Sequence, residues 1–174
     1  MIEPASVLTP WSSFYAMTGS SAAALTGLMF IVITLVTGTE RLRKSGDGIS
    51  TFSTPTVVHF GAALLFSVIL SAPWPALVAP AVLLEIAGLC GIAYVARLMV
   101  RTRKLTSYNA DVEDWISYSI LPFVAYAAIL AGAIMLRAVP VDAMFALAAG
   151  VALLIFVGIR NAWDVVTYIA LQDD

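Results

Sequence analysis

Residues 18–35 read TGSSAAALTGLMFIVITL, with no charge among them. At 1.5 Å per residue they cover about 27 Å, most of the roughly 30 Å hydrocarbon core of a bilayer. The first half sets Gly19, Ala23 and Gly27 four apart, a ridge of small side chains that lets another helix come close. The stretch reads as a central membrane helix with protein on several sides.

The rest of the chain has the same character. Of 174 residues, 61% are hydrophobic and only 11% charged, far below the roughly 25% charged residues of soluble domains. A soluble fold would have nowhere to hide so much apolar surface. The formal net charge of −2 gives no reason to expect nucleic acid as a partner. The single cysteine, Cys90, excludes an intramolecular disulfide, and one cysteine with one histidine makes a metal site improbable. No Gly-rich phosphate loop, serine nucleophile elbow or zincin motif is present, so neither an enzyme nor a cofactor is expected. Residues 1–13 hold no Lys or Arg and carry Glu3, unlike the basic start of a signal peptide, so the N-terminus is read as part of the mature protein.

The expected fold is an all-α integral membrane protein: five transmembrane helices near residues 13–36, 55–72, 76–99, 115–136 and 142–160. A single first helix is followed by two helical hairpins, all within one membrane domain. Gly46 is expected to stop the first helix after the cluster Glu40, Arg41, Arg43, Lys44, and Pro55 to sit in the first turn of the second. Pro73-Trp74-Pro75 predicts a tight hairpin between the second and third spans. Asp111, Glu113 and Asp114 suit the start of the fourth span, Pro122 a kink within it, and Asp142 the N-cap of the fifth. Residues 161–171 read as an amphipathic extension, with Ile159, Trp163, Val166 and Ala170 near one face.

Orientation follows from the basic residues. Of the nine Lys and Arg, those at 41, 43, 44, 97, 101, 103, 104 and 160 fall on one side of this plan, and Arg137 alone on the other. The positive-inside rule then puts the N-terminus outside and the C-terminus inside a bacterial-type plasma membrane. Trp11 and Trp74 fall at outer edges, Trp115 and Trp163 at inner edges, as an aromatic belt requires.

Glu85 is the main anomaly, a carboxyl placed near the middle of the third span, where a charge costs at least about 2.5 kcal/mol. Turn counting puts Ser20, Ser21, Ser67 and Tyr126 at a similar depth. Two readings fit: a group that gates, binds a cation or exchanges a proton, or a protonated carboxyl that bonds a serine and fixes packing. His59, the sole histidine, falls about one turn inside the inner face, too far in depth to touch Glu85; it is either a proton relay or an interfacial hydrogen-bonding group. Arg160, Asn161 and Asp164 form a second cluster, either a polar gate or headgroup site at the inner mouth or a plain interfacial anchor. Two functional classes therefore remain. One is a small channel or transporter whose path passes Glu85; the other is an accessory or scaffold subunit that binds other membrane proteins or lipid. The ridge on the first helix favours a homo-oligomer.

Overall fold

The computed structural model describes residues 3–37, 46–104 and 115–170, and these are 92% helical, with no strand among them. A short helix α1 (Pro4–Leu8) passes through a 3-10 turn (Thr9–Trp11) into α2 (Ser12–Thr37). There follow α3 (Gly46–Ser71), α4 (Val78–Lys104), a π-helical stretch (Ile116–Ile120) running into α5 (Leu121–Met135), and α6 (Pro140–Ala170). Five helical stretches are long and apolar enough to cross a membrane: Pro4–Thr34, Thr54–Ser71, Val78–Val100, Ile116–Met135 and Pro140–Thr167. These lie close to the five spans expected, and they mark the chain as a multi-pass membrane protein. The cluster at 40–44 and the acids at 111–114 lie outside the described residues.

Several local expectations are corrected. Gly46 opens α3 instead of closing the preceding helix, and Pro55 lies inside α3, not in its first turn. Proline removes one backbone donor and crowds the preceding turn, but a helix flanked by good neighbours can run through it. Pro122 does disturb its helix: the turn before it widens to a π-helix, and the Leu121 N–H bonds to the Ile116 carbonyl. Asp142 falls in the first turn of α6, which begins at Pro140, where its charge faces the positive end of the helix dipole. The amphipathic extension at 161–171 does not bend away from the fifth span: α6 runs on past residue 160. The helix continues unbroken to Ala170, and its apolar stripe of Ile159, Trp163 and Val166 is exposed, while Asn161 and Val165 face inward. The extension is thus a direct continuation of the last long apolar helix, with its apolar stripe on the outside.

Four helices form a ring in the order α3, α6, α5, α4, with α2 outside it against α3 and, less closely, α6. The first span is therefore peripheral, not central. It packs through Tyr15, Ala22 and Met29, whereas Leu28, Phe30 and Ile31 are exposed. The hairpin at Pro73-Trp74-Pro75 is not tight either, because α3 and α4 touch little and α4 packs chiefly on α5. The Trp74 indole N–H donates to the Ile69 carbonyl at 2.6 Å, satisfying one of the acceptors left open at the end of α3.

Helices in lipid gain little from apolar burial against one another, so close backbone approach must hold them. Four glycines provide it. Phe60 of α3 fills the notch at Gly158 of α6, Tyr126 of α5 that at Gly91 of α4, Ile129 of α5 that at Gly150, and Leu147 of α6 that at Gly132 of α5. No glycine described has a positive φ, so their role is steric. A Cβ added at Gly19 would meet the Ser67 Cβ at 3.1 Å, while one added at Gly27 would meet nothing within 4 Å. Gly158→Ala should therefore lower stability by about 1–3 kcal/mol through overpacking, and Gly27→Ala by almost nothing. Thermal unfolding of the two variants in one detergent checks this.

Candidate functional site

The ring encloses a polar group at its Arg160 end. His59 of α3 is fully buried, and its Nδ1 lies 3.1 Å from the Tyr126 hydroxyl of α5, the helix diagonally opposite. The Tyr94 ring of α4 meets the imidazole edge-on at 6.3 Å. Asn161 of α6, also 0% exposed, completes a set with one member from each helix of the ring.

Local structure explains how the tyrosine reaches across. Tyr126 lies against the bare backbone at Gly91 and is flanked by Phe66 at 6.4 Å. Side chains lean toward the N-terminus of their helix, which for α5 is the end where His59 sits. A ring of this size, held flat on α4, delivers its hydroxyl to the imidazole. Either group can donate in the His59–Tyr126 bond, and in both cases the second ring nitrogen remains. That atom, His59 Nε2, is buried without a hydrogen-bond partner among the described residues, as are both polar atoms of the Asn161 carboxamide. Each such atom costs about 1–3 kcal/mol if left unsatisfied, so the arrangement is not one that packing alone would favour.

Glu85 lies elsewhere. It sits seven residues beyond Val78, about 10 Å into α4, and so nearer the Arg137 end than the middle. Its carboxylate meets Arg137 from the turn between α5 and α6: Nη2 donates to Oε2 at 3.0 Å, and Nη1 stands 2.8 Å from Oε1. The side chains are 22% and 41% exposed respectively. Two opposite charges paired at one end of the bundle form a clasp between α4 and the α5–α6 turn.

The remaining candidates are dispersed. Ser67 bonds the Thr18 hydroxyl at 3.0 Å and the Ala63 carbonyl at 2.8 Å, tying α2 to α3. Ser20 and Ser21 are exposed on α2. Ser20 lines a shallow 480 Å³ groove between α2 and α3, together with Gly19 and Ala23. None of the three serines reaches Glu85, and Tyr126 belongs to His59. Arg160 and Asp164 face each other at 3.9 Å on the exposed side of α6, while Asn161 between them points into the ring. The inner-mouth cluster therefore divides, its amide turned to the buried side of α6 and its charges to the exposed side. Arg137 and Tyr94 are the two members the sequence reading did not assign. In the five-span plan read from the sequence, Arg137 is the one basic residue on the side toward which Glu85 lies, which was the available signal for their pairing.

A double-mutant cycle on Glu85→Ala and Arg137→Ala should give a coupling of roughly 1 kcal/mol in thermal or denaturant unfolding. Additive losses would mean the pair does not act as a clasp. Comparison of the chain with protein-family models, with curated proteins and with solved structures finds no match, so its function is argued from its own residues.

Proposed function

We propose that this is a multi-pass plasma-membrane protein of the transporter class, N-terminus out and C-terminus in, that exchanges protons at His59. The observation that carries the reading is the His59–Tyr126 pair, an ionisable ring enclosed by four spanning helices with its second nitrogen still available. Histidine is the side chain whose ordinary titration falls near neutral pH, and ionisable groups inside spanning helices mark ion and proton paths by default. The distribution of Lys and Arg supports the orientation.

A carrier fits better than an open channel. Between His59 and the Arg137 end the interior is filled by Phe66, Leu70, Leu84, Ile129, Leu136 and Leu147, all buried to 1% exposure or less. Such a layer blocks a continuous wet path, so passage requires the helices to move. The same layer speaks against a path through Glu85, whose charge is met by Arg137. Catalysis has no support in these side chains. The second reading, an accessory subunit, draws on the outward-facing Ala23 and Gly27 of α2, and self-association through that face remains part of the proposal.

Proteoliposomes with an internal pH dye and an imposed potassium diffusion potential test the carrier. Wild type and Glu85→Gln should acidify faster than empty vesicles, and His59→Gln should not. No flux from wild type would leave the accessory reading, and loss in Glu85→Gln alone would return the path to Glu85. Gly27→Leu should preserve the fold but shift the protein toward monomer in size-exclusion with light scattering; an unchanged mass would remove that face from the assembly.

A further inference from the structure

Five buried side-chain polar atoms take no hydrogen bond among the described residues: the Tyr15 hydroxyl of α2, Glu85 Oε1 beside Arg137, and, inside the ring, His59 Nε2, Asn161 Nδ2 and Asn161 Oδ1. The last three belong to helices on adjacent corners of the ring, and the helical register brings them together. Phe60 packs into Gly158, so these two residues share a level. α3 and α6 run in opposite directions, because Trp11 meets Phe145 while the nearby Gly19 meets Ser67. From the Phe60–Gly158 level, Asn161 is three residues on along α6 and His59 one residue back along α3. Both steps lead toward the Arg160 end, and the axial offset is about 3 Å. Each side chain leans toward the N-terminus of its own helix, so the two converge in depth.

The direction around the helix agrees. Gly158 faces Phe60 of α3, and Gly150 faces Ile129 of α5. At about 100° per residue, Asn161 falls between those two directions. Its carboxamide is aimed at the space between α3 and α5, where His59 meets Tyr126.

We infer that His59 Nε2 and the Asn161 carboxamide together bind one small uncharged molecule that both donates and accepts hydrogen bonds, of the class of water or a simple amide such as urea. The carboxamide offers a donor and an acceptor side by side, and the imidazole nitrogen offers one or the other according to its tautomer. Among the described residues an ion would find no opposite charge inside the ring: Arg160 and Asp164 face each other on the exposed side of α6, and Glu85 and Arg137 are paired at the other end of the bundle. Phe60, packed at Gly158 three residues before Asn161, and Tyr126, bonded to His59, leave room for only a small guest. The inference rests on the reading of His59 as the working group of the site and names what that group holds.

Because His59 is the only histidine, nitrogen-15 labelling of histidine gives two ring signals and no others. In lipid nanodiscs, wild-type Nε2 should receive magnetisation from water and show a hydrogen-bonded shift. Tyr126→Phe should move Nδ1, whereas Asn161→Leu should move Nε2 and abolish the water transfer. Urea titrated into wild type distinguishes the sources: a saturable Nε2 shift identifies a simple amide as a guest, and an unchanged signal with water transfer identifies water. A wild-type Nε2 with no transfer from water and no response to urea overturns the inference, whether or not Asn161→Leu folds. The readout is independent of flux, so a hydrated Nε2 without proton transport removes the carrier and leaves the binding site, and the reverse result does the opposite.

Discussion

Tyr126 lies against α4 because residue 91 has no side chain to hold it off. That contact sets the distance between α4 and α5, and it also aims the hydroxyl that meets His59 at 3.1 Å. Packing and site are thus joined through one ring. In lipid the apolar surface of a helix has no strong preference for protein over acyl chain, so close contacts of this kind carry the assembly. The other three notches, at Gly132, Gly150 and Gly158, repeat the device around the ring, and each receives a branched or aromatic side chain from a neighbour.

This explains why the helix with the most conspicuous small-residue ridge is not the hub. A notch holds only when a knob of the right depth stands opposite, and spacing along one helix says nothing about the partner. Gly19 found Ser67, and Gly27 found no side chain within 4 Å. Gly91, Gly150 and Gly158 are less conspicuous in the sequence, yet each closes an interface. The five spans themselves were legible, because hydropathy and length are properties of one segment at a time. Which faces meet is a property of pairs.

The polar groups show the same division. Depth counting set His59 and Glu85 apart, and in the structure they meet different partners, Tyr126 and Arg137. It grouped Tyr126 with Glu85 because it tracked Cα height alone and ignored the reach and backward lean of a tyrosine. It also started the third span two residues early, at 76 instead of Val78, and so drew Glu85 toward the middle and away from Arg137. Asn161 was grouped at the inner mouth with Arg160 and Asp164, although around a helix it stands about 100° from the first and about 60° from the second. The sign of a charge and the height of a residue are readable from sequence; its azimuth is fixed only when neighbours dock.

The distribution of contacts bears on how a closed bundle could work. One end is held by the Glu85–Arg137 clasp and the core by a dry layer, so a group reaching His59 must come from the Arg160 end or wait for a seam to open. Of the four seams in the ring, α3 against α4 is the least contacted, and it lies beside His59 and Tyr94, which face each other across it. The helices on either side are joined at the far end by Pro73-Trp74-Pro75, where the Trp74 indole fastens the turn to α3 alone and leaves α4 unbound by it. Opening this seam breaks few knob-in-notch contacts, since all four glycine notches lie between other pairs: Gly158 with α3, Gly91 with α5, and Gly132 and Gly150 between α5 and α6. The packing that makes the ring stable therefore leaves its most yielding edge at the histidine.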